Sequence, residues 1–164
     1  MGIQATLLLD EKELRAKFHE RSWKLHPDRY ATAQPPEPFF AQRWATALNK
    51  AFQTLREREE LAMYVVETFG TPELAASKAN VPSELAERYF DLQDSIDPAE
   101  WDTFRALVLE KQKEGRNRWN ELAKDFEAGR MEPIKNWLDE QRTFESMLKD
   151  LDQKRGPASG NRRN

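Results

Sequence analysis

His26, Pro27 and Asp28 follow one another where a charged amphipathic helix has to stop. A carboxylate at such a point suits a charge-assisted hydrogen bond to a partner arginine. An imidazole can donate from one ring nitrogen and accept at the other, bracing the loop or touching the partner. The proline between them narrows the loop's conformations and lowers the entropy lost on docking. This is the chemistry of a switch contact. No nucleophile, metal cluster or phosphate-binding glycine loop accompanies the pair, so the residues point away from an enzyme.

The helix that positions these residues runs from Glu11 to Leu25. Leu14, Phe18 and Leu25 form its apolar stripe, interrupted by Arg21. Asp10 is the expected N-cap, with Glu13 completing a capping box. Pro27 disfavours helical geometry at the residue before it, so the helix ends at His26. From Lys12 to Arg29 there are six bases and three acids, whereas the whole chain is −3, which leaves −6 on the remainder. A basic helix on an acidic protein implies an acidic partner surface steered toward it. The interleaved glutamates favour a protein over nucleic acid.

With those residues in hand, the chain resembles a J domain, and more narrowly the HscB family of co-chaperones that serve iron–sulfur cluster assembly. Leu14-Arg15-Ala16-Lys17-Phe18 through His26-Pro27-Asp28-Arg29-Tyr30 reads like the family's second helix and signature loop. Leu48 to Arg56 resembles its third helix, and Ala62-Met63-Tyr64-Val65-Val66 up to Gly70 the continuation. The likeness runs on, less sharply, to about Lys154. It starts one helix late: the aromatic and leucine-rich first helix of a J domain has no counterpart in Met1 to Leu9, where Leu7-Leu8-Leu9 resembles only the entry to the second. A misplaced start codon, a truncated chain and a degenerate J domain all fit.

The resemblance implies that the loop and the basic helix dock on the ATPase of a DnaK/HscA-type chaperone through His26, Pro27, Asp28, Arg15, Lys24 and Arg29. It also implies that the carboxy-terminal bundle binds an iron–sulfur scaffold protein (IscU-like) through Ala86, Phe90, Asp91, Asp94 and Trp137. Leu85, Tyr89, Leu92 and Ile96 supply the inward stripe of that helix, which leaves Phe90 on a flank with Asp94 one turn on. Ala86 is smaller than the apolar residue the family usually carries there. Two other functions stay open: a J-domain co-chaperone for another client, and a helical adaptor without chaperone coupling.

The expected fold is all-α. A J-domain helical hairpin, lacking the first J-domain helix, is followed by an antiparallel three-helix bundle. The J-like domain spans 1–72, a linker 73–82, the client-binding bundle 83–154 and a disordered tail 155–164. Ala33 to Pro38 reads as a loop and Phe39 to Phe69 as a long helix that Arg56 to Glu60 can bend or interrupt, stopped by Gly70-Thr71-Pro72. Ser83 is expected to cap a helix reaching Ile96. Asp97-Pro98-Ala99-Glu100 starts another, running to Ala128 and ended by Gly129, and the last spans Glu132 to Lys154.

Composition bounds the rest. The chain has 164 residues, 34% of them charged, and no cysteine. Disulfides and thiolate ligation of zinc or an iron–sulfur cluster are therefore excluded. His19 lies seven residues before His26, but without acidic companions the two make a poor metal site. No cofactor is expected. No segment has the apolar length of a bilayer span, and a cytoplasmic location (mitochondrial matrix in a eukaryote) is expected. Met1-Gly2 with Thr6 matches a short myristoylation pattern.

Overall fold

Asp10 starts the first helix as its side chain predicts. In the computed structural model, which describes residues 5–30, 32, 37–79, 82–95 and 97–154, its carboxylate accepts from the backbone N–H groups of Lys12 and Glu13 at 2.7 and 3.0 Å. Helix α1 spans Glu11–Lys24, with Leu25 as its C-cap. The capping box does not close as expected, because the Glu13 carboxylate pairs with Lys17 at 2.7 Å. A 3-10 turn, Pro27–Tyr30, follows.

The charged run interrupts the expected long helix at Glu57, giving α2 (Glu37–Arg56) and α3 (Arg58–Phe69). Phe18 stacks on Phe52 at 4.3 Å, and Leu14 lines a cavity together with Arg56 and Glu57. Descending numbers on α1 thus meet ascending numbers on α2, and the two helices form the expected antiparallel hairpin. Gly70 caps α3, and Thr71 caps a short helix α4 (Pro72–Ala75) by accepting from the Leu74 N–H.

Helix α5 is Ser83–Gln93. Ser83 is its first residue rather than its cap, that position belonging to Pro82, and the helix stops at Gln93, short of Ile96, which lies outside the described residues. Asn80 and Val81 of the expected joint, most of the 33–38 loop, residues 1–4 of the amino terminus and the 155–164 tail also lie outside them.

The expected helix from Asp97 to Ala128 is two, α6 (Pro98–Asn117) and α7 (Trp119–Glu127). Competition for carbonyls explains the break. The Trp137 indole donates to the Gly115 carbonyl at 2.8 Å, and the Arg58 guanidinium donates to the Arg116 carbonyl at 3.0 Å. The Arg118 N–H also turns back to Gly115 at 3.2 Å, an i to i+3 bond that tightens the last turn. Gly129, at φ +73°, then turns the chain in the left-handed conformation glycine tolerates. Helix α8 has the expected bounds, Glu132–Lys154.

Two apolar cores share α8 as their spine. Ile134, Trp137 and Leu138 join Leu7, Leu61, Ala62, Val65, Val66, Trp119, Leu122 and Ala123 in one. Phe144, Met147 and Leu151 join Leu85, Leu92, Phe104 and Val108 in the other. Between them lies Gln141, whose buried amide meets no hydrogen-bond partner among the described residues. The first core draws on residues from both ends of the sequence. Leu7 is buried, and its carbonyl accepts from the Trp119 indole at 3.0 Å. Every described element is helix, turn or loop, so the all-α reading holds.

Candidate functional site

The turn after α1 is braced locally and left open outward. The Tyr30 hydroxyl donates to the Lys24 carbonyl at 3.0 Å, satisfying one of the acceptors a helix C-terminus leaves over. The Arg29 N–H donates to the His26 carbonyl at 3.0 Å, and the Asp28 N–H donates to His26 Nδ1 at 3.3 Å. Accepting at Nδ1 leaves the neutral ring's proton on Nε2. The same Nδ1 lies 3.6 Å from Asp28 Oδ2.

The Asp28 side chain is 89% exposed, and its carboxylate accepts no hydrogen bond from a described residue. An exposed, unengaged carboxylate on a turn of fixed backbone can receive a partner's cation. The hydrogen bonds of the turn therefore hold His26 and Asp28 close together, with Pro27 between them in the chain.

The expected basic residues divide into two groups. Arg15 and Lys24 are each bound within α1, to Glu11 and Glu20, at 2.5 Å. Hydrogen bonds from Arg15 and Lys24 hold the Glu11 and Glu20 carboxyls below the usual carboxylate range, with the cations' charge adding to the effect. Arg29, by contrast, lies with its guanidinium 5.7 Å from the centre of the Trp23 ring. Sequence reasoning assigned no role to Trp23 or to the Tyr30 hydroxyl. The signal for Trp23 was a large aromatic off the Leu14–Phe18–Leu25 stripe. Tyr30's bond six residues back leaves no periodic signal.

On α5, Ala86, Phe90 and Asp94 repeat every fourth residue and so share a face. Ala86 is half-buried, Phe90 is 71% exposed, Asp91 is exposed, and Asp94 is the C-cap. Tyr89 turns the other way and donates its hydroxyl to Asp150 on α8 at 2.5 Å. Burial first, and then the bond to Asp150, push the Tyr89 phenol up to about 12. Beside this face a cleft of about 670 Å³ opens between α5 and α6, lined by Arg88, Asp91, Glu100, Phe104 and Leu107 among others.

Trp137 does not join the Phe90 face. It is fully buried in the first core, 4.9 Å from Trp119 ring to ring, and its indole N–H is spent on Gly115. A side chain with no exposed surface cannot anchor a partner, so its expected place in the patch is corrected to the core. His19 packs against Phe18 at 5.7 Å, and no group of three His, Asp or Glu suited to a metal ion occurs among the described residues. No described helix is long and apolar enough to cross a membrane.

Comparison with known proteins follows the same lines. No family model matches the chain. It is 28% identical over 131 residues to the co-chaperone protein HscB homologue of Burkholderia multivorans, covering 77% of this chain and 75% of that one. The HscB homologue of Paraburkholderia xenovorans matches at the same identity and coverage. Among solved structures, the fold is similar to human HscB, with TM-score 0.71 and 22% identity over 96% of this chain and 80% of that one. It is also similar to HscB from Vibrio cholerae, with TM-score 0.62 and 21% identity over 94% of this chain and 93% of that one. By sequence the chain is homologous to the HscB co-chaperones, and it shares their fold.

Proposed function

We propose that this HscB homologue is a J-domain co-chaperone of iron–sulfur cluster assembly, regulating hydrolysis by a partner rather than carrying out chemistry itself. Its His26-Pro27-Asp28 turn docks on the ATPase of a DnaK/HscA-type chaperone and favours the hydrolysis-competent state. The α5 face built on Phe90, Asp91 and Asp94 presents an IscU-like scaffold protein to that chaperone. Both partners are met in the cytoplasm, or in the matrix of a mitochondrion.

The observation that carries the reading is the Asp28 carboxylate, set on a hydrogen-bonded turn at the end of a basic helix and accepting no hydrogen bond from a described residue. The α5 face supports the second half. An exposed aromatic beside carboxylates provides an anchor and a polar rim, the usual anatomy of a protein interface.

The test measures ATP turnover by the chaperone with this chain, with scaffold, and with both. The chain alone is expected to raise turnover, and scaffold to raise it further. Phe90→Ala should keep the first effect and weaken scaffold binding by about one to three kcal/mol. A wild-type chain that leaves turnover unchanged would refute the chaperone half, and Phe90→Ala binding scaffold normally would refute the scaffold half.

A further inference from the structure

Trp23 is an aromatic that no other element covers. At 3.6 residues per turn it lies well round α1 from the Leu14, Phe18 and Leu25 stripe. It is 71% exposed, and its indole N–H meets no acceptor among the described residues. What touches it is Arg29, reaching back from the turn to lie 5.7 Å from the ring centre.

Arg29, the cation against Trp23, is not neutralised. Lys12 and His19 share its face of α1, and neither they nor Arg29 have a carboxylate partner among the described residues. Arg15, Lys17 and Lys24, on other faces, are each paired with a glutamate four residues earlier. Trp23 and its unpaired Arg29 therefore lie where α1 ends, next to Asp28, with Lys12 about three turns back on the same face.

We propose that Trp23, stacked with Arg29, is the docking anchor that sets how tightly this chain binds its chaperone, entering an apolar notch rimmed by carboxylates. The inference rests on the reading of the His-Pro-Asp turn given above and adds the residue that supplies affinity. Tryptophan and arginine are the side chains most enriched among residues that dominate interface energy. The cation–π contact holds both before binding, which lowers the ordering cost. The unpaired charge also selects the partner. A second copy of this face would set Lys12 and Arg29 against their own kind, whereas an acidic surface complements them.

The experiment titrates the full chain into the DnaK-type chaperone of the same organism and reads ATP turnover as half-maximal concentration and plateau. Trp23→Ala should raise the half-maximal concentration about tenfold or more with the plateau unchanged. Trp23→Phe should recover most of that loss. Thermal unfolding of both should match the wild type, because the ring is outside either core. Asp28→Asn, in contrast, should lower the plateau. An unshifted half-maximal concentration for Trp23→Ala overturns the anchor, and so does a lowered plateau without a shift. A normal plateau for Asp28→Asn overturns the reading of the turn, while a shifted Trp23→Ala curve still upholds the anchor.

Discussion

At the scale of single residues, two large aromatics on helices have opposite fates. Phe90 and Trp137 were both expected at one interface, yet Phe90 is 71% exposed and Trp137 wholly buried. Trp137→Ala removes an indole packed on Trp119 and takes from the Gly115 carbonyl the shorter of its two donors. The expected cost is about 3–5 kcal/mol, read as a fall in the thermal midpoint, while Phe90→Ala leaves the midpoint near the wild type. A wild-type midpoint for Trp137→Ala would mean that the ring is not in the core. Trp137 recurs with Ile134, Leu138, Gln141, Leu148 and Leu151 at near-heptad spacing along α8, so its burial was readable. Position-by-position likeness to a family patch pointed the other way, and packing decides between them. Trp23 was legible only as an anomaly, and its stacking on Arg29 depends on a turn whose shape sequence spacing does not encode.

At the scale of elements, helix ends set by a local side chain were legible. Asp10, Asp97 and Gly129 mark boundaries where a cap or a glycine acts within a few residues. The division of α6 from α7 was not, because it depends on donors from α3 and α8 that lie far away in sequence. Helix α5 is joined to α8 by the Tyr89 to Asp150 bond, and this gives a pH prediction. The folded-state phenol is raised from its ordinary 10.0 to about 12, so its contribution to stability is whole below pH 10 and fades between pH 10 and 12. Asp150 shows the converse, its carboxyl lowered first by the Tyr89 hydroxyl, with a contribution lost in acid as it protonates. Tyr89→Phe should flatten both limbs of the stability curve, measured by chemical unfolding across pH. Curves that merely shift in parallel would show that the bond does not couple to folding.

At the scale of the whole molecule, charge and connectivity act together. The chain is −3 overall with a basic first helix, so long-range fields should orient it as it approaches an acidic partner. Association with the chaperone should slow as salt rises, and neutralising Arg15→Gln with Lys24→Gln should lower the on-rate and flatten that dependence. Each change breaks an exposed i, i+4 pair that solvent screens, so the helix should survive both. An association rate indifferent to salt would remove the basic helix from the docking face. The charge asymmetry was legible from the sequence. The reach of Leu7 into a core with Trp119 and Trp137 was not, because no local pattern links residues over a hundred positions apart.

The central claim is that the Asp28 carboxylate is the switch contact. Asp28→Asn keeps the size of the side chain and the backbone bonds of the turn but removes the charge. The most direct measurement is single-turnover ATP hydrolysis by the chaperone, at a co-chaperone concentration that saturates the wild type. The account predicts that the variant keeps its helix content and thermal midpoint and loses the rate increase. Hydrolysis stimulated to the wild-type rate by Asp28→Asn would contradict it.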